Sequence, residues 1–504
     1  IDVFPIDALP DNERKRRLLQ KKVWHLRKMQ AYSIIEKRGY EKVYFKLIKK
    51  MNNKVFLRRM LWLLCLPLLL TACKDSMDEH YEVPDWVADN AWEVLSSGEH
   101  GNYSIFLQGL EIAGYKQMLE GKAILTIIAP DDDAFQTYLN KRGFTSISDM
   151  PVNEVSKLIG YHVLYYSYNK EKLVNFRPTG STETEEEQNI KAGLYYKHRT
   201  RSSDAPTVET TPTGASVMVY HLERYLPIFS YRYFQTKGID AKNNYEAFYP
   251  NSTWTGDDGF NVSNASVKEY GIIANNGYIH AVDRVVEPLE TIYTELKNKE
   301  KYSTFLDLYD SFGVYVADDE LSKSYAKAYG VDTLYQYQHG GLPNIACEWP
   351  TSSYLNFTAL TALSYSIFAP SNTAINSFFD SFWKIGGYSS MQEVDALALN
   401  YFLYQFIYGG SMLFPEELGD DELKNLAGSS LNINPAALNE KTMCVNGALY
   451  GMDEIKEPST FASVIGPLFQ YKSARSFLYA LLGSSLFSSY VSDLSKYIVL
   501  VPTA

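Results

Sequence analysis

One short pattern occurs three times in this chain: an apolar run, a proline, a polar residue, and then residues typical of a helix. The three copies are TIIAPDDDAFQTYL (126–139), SIFAPSNTAINSFF (366–379) and IVLVPTA (498–504). The apolar run predicts a β-strand, and Asp131, Ser371 and Thr503 are residue types that accept a backbone N–H at a helix start. Repetition at such distances predicts a chain built from copies of one structural unit.

The acidic triplet 131–133 of the first copy could form a metal or catalytic cluster. The second copy has Ser371, Asn372 and Thr373 at the matching positions, so the carboxylates are not shared. We therefore expect Asp131 to be a helix N-cap, with the other two acids stabilised by the helix dipole.

Other blocks repeat in the same order. A helix around a Phe-Leu pair occurs in NYSIFLQGLEIAGY (102–115), KYSTFLDLYDSFGV (301–314) and ARSFLYALLGSSLF (474–487). The block YHVLYY (161–166) aligns with NYFLYQ (400–405), and NNGYIHAVDRVVEP (275–288) aligns with VNGALYGMDEIKEP (445–458). This alignment places His162 opposite Tyr401 and His280 opposite Tyr450.

Taken together, these ordered blocks resemble the fasciclin (FAS1) domain, over about residues 86–458 and a broken third copy. The resemblance implies an α+β fold of tandem units, each a compact β-sandwich or wedge with packed helices. It divides the chain into a first domain at 86–289, a second at 290–458, and the start of a truncated third at 459–504. The spacing of the blocks predicts an insertion at about 180–265 in the first domain and another at about 316–357 in the second. Insertions of this size fall in loops and often carry function.

The beginning of the chain predicts export. We expect residues 1–50 to be an untranslated or over-extended segment and Met51 to start a lipoprotein signal peptide at 51–72, with basic residues before an apolar core. Leu70-Thr71-Ala72-Cys73 resembles a bacterial lipobox, which implies lipid attachment at Cys73 and a tether at 73–85. The following KDSMDEH resembles an export tag for the outer face of the outer membrane. The predicted location is therefore the cell surface.

Charge and motifs exclude several classes of function. The net charge is −11 although the first 72 residues are basic, so the remainder is strongly acidic and unsuited to bind a nucleic-acid backbone. The familiar nucleotide, zinc-protease and serine-hydrolase motifs do not occur in the sequence. We predict no enzyme activity, no catalytic residues, no metal and no cofactor.

His280 with Asp283 could serve acid-base chemistry, but a structural role is the better interpretation because the second copy lacks this pair. Cys347 and Cys444 could form a disulfide or remain buried thiols.

Aromatic residues in the insertions are the candidate ligand contacts. The chain has 40 Tyr and 7 Trp, and we single out Tyr249 and Trp254 in the first insertion and Tyr335 and Tyr337 in the second. Aromatic rings beside polar groups stack on sugars or anchor protein interfaces, although each residue could equally pack its insertion onto the domain. The predicted function is a non-catalytic surface lipoprotein that holds glycan or docks to a SusC/SusD-like nutrient importer. The alternative is a structural or adhesion protein that binds protein partners on other cells or matrix.

Overall fold

The computed structural model describes residues 89–175, 196–220, 223–347, 364–409, 411–419, 422–431, 433–484, 486–491 and 496–502. These residues belong to one compact unit, Ala88–Ala504. The predicted signal peptide, the lipid attachment at Cys73 and the tether lie outside the described residues. We call residues 89–289 the first copy and residues 290–458 the second copy.

The first copy builds a closed barrel. Its first elements are α1 (Ala91–Ser96), α2 (Ser104–Ile112), α3 (Lys116–Glu120), β1 (Leu125–Pro130), α4 (Asp132–Arg142), α5 (Val152–Tyr161), β2 (Val163–Tyr165) and α6 (Lys170–Val174). These are followed by β3 (Tyr196–Ser203), β4 (Thr207–Thr210), β5 (Ser216–Val219), β6 (Glu223–Ser230), α7 (Tyr231–Lys237), α8 (Ala241–Phe248), β7 (Phe260–Val262), β8 (Ala265–Ala274) and β9 (Gly277–Val282). The barrel order is β1-β2-β3-β6-β7-β8-β9. Strands and helices are mixed as predicted, but here the sheet closes on itself instead of forming a sandwich.

The second copy has a smaller, four-stranded sheet. Its elements are α9 (Ile292–Lys297), α10 (Ser303–Asp310), β10 (Gly313–Ala317), α11 (Asp319–Tyr325), β11 (Tyr335–His339), β12 (Tyr365–Pro370), α12 (Asn372–Ser381), α13 (Ala396–Tyr404), β13 (Ile407–Tyr408), β14 (Leu438–Cys444) and β15 (Gly447–Met452). The sheet order is β13-β12-β15-β14. Cys347 and Cys444 are both buried and in the thiol form, which decides between the two alternatives left open by the sequence.

The same strand frame occurs in both copies. β1 pairs in parallel with β9, and β12 pairs in parallel with β15, in matching register. Gly277 and Gly447 begin the second strand of each pair, and a Cβ at either position would lie 1.9 Å from the backbone oxygen of Leu125 or Tyr365. Both Asn-Gly blocks are thus explained by a backbone approach that only glycine permits.

The register corrects one part of the sequence alignment. His280 does correspond to Tyr450, because they pair with Ile128 and Phe368, respectively. His162, however, does not correspond to Tyr401. The Ile128 N–H donates to the His162 carbonyl and the Phe368 N–H donates to the Phe406 carbonyl, so Phe406 is the equivalent residue. The alignment was wrong because several apolar-aromatic runs follow each other between 400 and 408.

The two insertions are built into the fold and connect the copies. From the first insertion, β3, β6 and β7 complete the barrel. β4 and β5 leave the barrel and join β11 of the second insertion, and β10, which leads into that insertion, in a sheet of order β10-β11-β5-β4 that we call the shared sheet. Its central contact is parallel, with Tyr335 opposite Val219. The strands of one insertion therefore complete the sheet of the other.

Helices α7 and α8 of the first insertion pack against the second copy. The ring centroid of Phe414 lies 5.0 Å from that of Phe234 and 5.7 Å from that of Phe248. Beside these rings, the ammonium of Lys237 lies 2.6 Å from a carboxylate oxygen of Glu417, and both side chains are largely buried. The buried aromatic residues of α7 and α8 thus belong to the hydrophobic core of the second copy; they are Tyr233, Phe234, Tyr245 and Phe248.

The C-terminal segment continues this core. It contains α14 (Ser459–Ala462), α15 (Gly466–Gln470), α16 (Arg475–Gly483) and α17 (Phe487–Val491). Phe461 and Phe469 are buried, and the Trp383 indole donates to the Phe469 carbonyl at 3.1 Å. The predicted third strand is absent from residues 496–502, where Ile498 and Leu500 are exposed. β1 and β12 each pair with a later strand of their own copy, and the described residues offer residues 498–502 no such partner.

Candidate functional site

The acidic triplet after β1 holds helices in place. Asp131 accepts the Ala134 N–H at 2.9 Å, and Ser371 does the same for Ala374 at 3.4 Å. The predicted N-cap role is therefore confirmed. Asp132 has a second structural role, because it accepts the Ile105 N–H at the start of α2 at 2.8 Å. Within the described part of the chain, no group of three or more His, Cys, Asp and Glu residues could hold a metal ion.

His162 and His280 both have structural roles, and for His280 this agrees with the prediction from the sequence. The Val286 N–H donates to Nε2 of His162 at 3.0 Å, so Nδ1 carries the proton and donates to the Leu158 carbonyl. The Gly271 N–H donates to Nδ1 of His280 at 3.2 Å, and its Nε2 donates to the Tyr168 carbonyl. Burial lowers the pKa of both imidazoles to about 4, so each is a neutral group that connects backbone segments.

The predicted contact residues of the first insertion lie in the core between the copies. Trp254 is buried, packs edge-on against Phe234, and donates its indole N–H to Asp257 at 2.7 Å. Tyr249 is half-buried, with its hydroxyl 3.1 Å from the Ser263 hydroxyl. Of the two roles left open by the sequence, ligand contact and packing, this placement favours packing for Tyr249 and Trp254. Phe248, on the neighbouring helix α8, contacts Tyr450 in the sheet of the second copy.

The predicted residues of the second insertion lie on one face of the shared sheet. Tyr335 and Tyr337 are two positions apart on β11, so their side chains share a face, and both are half-buried. Tyr315 of β10 pairs directly with Tyr337, and their ring centroids are 5.0 Å apart. The ring centroid of Tyr293, on α9, lies 5.6 Å from that of Tyr337. Tyr315, Tyr337 and Tyr293 thus form a group of three neighbouring rings.

Two carboxylates fix these rings. The hydroxyls of Tyr337 and Tyr293 donate to Asp310 at 2.9 and 3.2 Å. The Tyr315 hydroxyl donates to Glu209 at 2.9 Å, and this bond joins β10 to β4, the opposite edge of the shared sheet. We call Tyr293, Tyr315, Tyr337, Glu209 and Asp310 the tyrosine face.

The electrostatics of the tyrosine face suit a neutral polar ligand. Partial burial and the neighbouring Glu209 raise the pKa of Tyr315 to about 12. Burial and Asp310 raise the pKa of Tyr293 and of Tyr337 above the ordinary range. All three hydroxyls therefore stay protonated donors at neutral pH, and the carboxylates leave oxygen lone pairs for further donors. A phosphate or other anion would be repelled by the same carboxylates.

Sequence reasoning identified Tyr335 and Tyr337 but missed Tyr293, Tyr315, Glu209 and Asp310. The alternation in VYV around Tyr315 resembles that in YQYQ, and indicates a strand face. The sequence gives no sign that Glu209, from the other insertion, lies within 2.9 Å of the Tyr315 hydroxyl. That contact depends on the pairing of strands from the two insertions.

Comparison with known proteins supports the predicted fasciclin resemblance for part of the chain. Residues 101–227 match the family model of the Fasciclin domain, so the first copy contains a fasciclin domain. Among solved structures, the FAS1 domain pair of the insect cell adhesion molecule Fasciclin I matches with 12% identity, over 73% of this chain and 96% of that one, at a TM-score of 0.22. At these values the likeness supports no inference about function. No curated protein matches this chain.

Proposed function

We propose that this chain, whose residues 101–227 match the Fasciclin domain, is a non-catalytic binding protein of the cell surface that holds glycan on the tyrosine face. Fasciclin domains are in general adhesion or binding modules. In this proposal Cys73 carries the lipid that anchors the chain to the outer membrane, beside a SusC/SusD-like importer. The observation that supports glycan binding is the set of three half-buried rings whose hydroxyls are held by Glu209 and Asp310.

The geometry favours a sugar because it combines apolar ring faces with fixed polar groups. Tyrosine rings present an apolar surface with a polar tip, and the C–H face of a sugar ring matches such a surface. The Tyr315–Glu209 bond spans the shared sheet at 2.9 Å, so the rings are held in place before a ligand arrives. Such preorganisation reduces the ordering cost of binding.

The test is retention of the protein on immobilised polysaccharides, read as affinity electrophoresis or as a dissociation constant. The variant Tyr315→Ala/Tyr337→Ala removes two rings from one face and should weaken binding by about tenfold or more, since a factor of ten corresponds to about 1.4 kcal/mol. Tyr471→Ala is the matched control, because Tyr471 is 42% exposed and lies on the C-terminal segment. Circular dichroism establishes that both variants are folded. Unchanged retention of the double variant would show that the tyrosine face does not bind the polysaccharide.

A second function, docking of a protein partner in adhesion or at the importer, is favoured by one specific feature. β10 is an edge strand of the shared sheet and exposes Val314 at 44% and Val316 at 40%. An exposed edge strand can pair with a strand of another protein. Val316→Pro should then reduce cross-linking to a membrane partner in intact cells while polysaccharide retention is unchanged. Equal cross-linking of the parent and the variant would exclude this edge.

A further inference from the structure

The tyrosine face carries two carboxylates that no basic side chain neutralises. Glu209 is half-buried, and the side chain of Asp310 is 30% exposed. Within the described ranges, neither carboxylate forms an ion pair with a lysine or an arginine. By contrast, the partly buried carboxylates of Asp204 and Glu417 each contact a basic side chain. The tyrosine face is therefore a negatively charged part of the surface.

Three aromatic rings lie beside these charges. The ring centroid of Tyr337 lies 5.0 Å from that of Tyr315 and 5.6 Å from that of Tyr293, and all three residues are half-buried. The face of an aromatic ring attracts a cation that lies within about 6 Å of the ring centroid. Because neighbouring centroids are closer together than this distance, one cation can interact with two of the rings at once.

The rings and the carboxylate of Asp310 are fixed before a ligand binds. The hydroxyls of Tyr337 and Tyr293 donate to Asp310. Gly313 leaves room for this arrangement, because a Cβ there would lie 2.0 Å from the Tyr337 hydroxyl. With His339 as a third donor, three of the about four lone-pair positions of the carboxylate are used. One position is left for a donor of the ligand.

His339 holds Asp310 without cancelling its charge. The side chain of His339 is fully buried, and its Nε2 donates to Asp310 at 3.2 Å, because a carboxylate only accepts. Nδ1 of the same ring is also buried, and it has no hydrogen-bond partner in the part of the chain that the structure describes. A second proton on Nδ1 would be buried without an acceptor, which is unfavourable. The neutral ring therefore leaves the negative charge of Asp310 in place.

We propose that the tyrosine face binds the ammonium group of an amino sugar, so that the glycan it holds contains units with free amines. The inference rests on the proposed function, because it names the class of glycan for the same site. An ammonium group carries a positive charge and three donors, which match the ring faces and the unused acceptor positions. A neutral sugar gains only stacking and hydrogen bonds from the same groups. The charge of the amine therefore adds to the affinity.

The test uses the full chain and two hexasaccharides, one of β-1,4-linked glucosamine and the other its fully N-acetylated form. Calorimetric titration measures both dissociation constants in a low-salt buffer, at a pH at which the amines are protonated. We expect the amine form to bind about tenfold more tightly. This ratio should fall as salt is added, because salt screens exposed charges.

Glu209→Gln tests the origin of the ratio. The variant keeps an acceptor for the Tyr315 hydroxyl but removes one negative charge, and the ratio should fall about threefold. Glu454→Gln is the matched control, because it makes the same change of net charge at an exposed position of the second copy. The control should show the ratio of the parent protein. Circular dichroism establishes that both variants are folded.

Three results would overturn the inference. They are equal or weaker binding of the amine form by the parent, binding of neither hexasaccharide, and an equal fall of the ratio in Glu209→Gln and Glu454→Gln. The last would show that the acidic chain attracts the cationic probe without a specific site. The proposed function is tested separately, by retention on polysaccharides that lack amines. Retention there, together with equal binding of the two hexasaccharides, would support glycan binding and exclude the preference for amines.

Discussion

The two copies share a strand frame but complete it differently. The first copy closes a seven-stranded barrel with β3, β6 and β7 from its own insertion. The second copy keeps four strands and is covered by α7 and α8, which come from the insertion of the first copy. The difference shows that the first insertion serves both copies, and that the second copy depends on its neighbour for part of its core.

The largest expected effect is the loss of an aromatic ring at this junction. Phe414→Ala should lower the free energy of unfolding by about 4 kcal/mol, because it leaves a cavity among buried rings. Phe414 contacts rings of both α7 and α8, including Phe234 and Phe248. Denaturant unfolding measures the loss. Phe144→Ala, at a half-buried position of the first copy, is the control and should cost clearly less.

The next effect concerns the buried ion pair between α7 and the second copy. Lys237→Met should cost about 3 kcal/mol, since it leaves the Glu417 carboxylate buried without its cation. Burial lowers the pKa of Lys237, although the nearby Glu417 carboxylate raises it. The loss of hydration of the ammonium therefore outweighs its attraction to Glu417. Lys237→Met/Glu417→Leu should recover most of the stability in the same denaturation experiment. Equal stability of the single variant and the parent would show that this contact does not join the copies.

Mild acid should act on the histidines that distinguish the barrel of the first copy. Burial lowers the pKa of His162 and His280 to about 4, whereas an unfolded histidine titrates near about 6.5. The unfolded chain then binds more protons between these values. This contribution to stability is complete above about pH 6.5 and is lost as the pH falls toward about 4.

Each of these histidines should therefore cost about 2 kcal/mol of stability at about pH 5. The free energy of unfolding between about pH 7 and pH 5 measures the loss. His280→Tyr introduces the residue of the second copy and should make this pH dependence shallower, whatever it does to stability at neutral pH. A slope that does not change would contradict the role of His280.

The smallest effect compares the helix caps of the two copies. Asp131→Ala should cost about 1 kcal/mol because the Ala134 N–H loses its acceptor. Asp131→Ser, which introduces the cap of the second copy, should be close to neutral. Thermal unfolding measures both. A large loss in Asp131→Ser would indicate that the carboxylate does more than cap α4.

Local sequence patterns predicted the local parts of this fold. The N-cap at Asp131 and the Asn-Gly blocks at Gly277 and Gly447 depend on neighbouring residues or on one strand pair. Trp254 is buried against Phe234 and Tyr245, and Phe234 in turn contacts Phe414 of the second copy. A pattern within one copy cannot show that its aromatic residues complete the core of the other.

In the tyrosine face and its neighbour Tyr335, too, some residues could be predicted from the sequence and others could not. Tyr335 and Tyr337 were singled out as aromatic residues of an insertion, and the structure adds that they share a face of β11. Glu209 and Asp310 could not be assigned to them, since they come from different parts of the chain.

The most direct measurement is hydrogen exchange, by mass spectrometry, of the full chain carrying Phe248→Ala. Phe248 belongs to the first insertion, but its ring lies 5.8 Å from Tyr450 of β15. If the first insertion completes the second copy, exchange should accelerate in β12 and β15 and change little in β1 and β9. Faster exchange confined to β1 and β9, with β15 still protected, would contradict the dependence of the second copy on its neighbour.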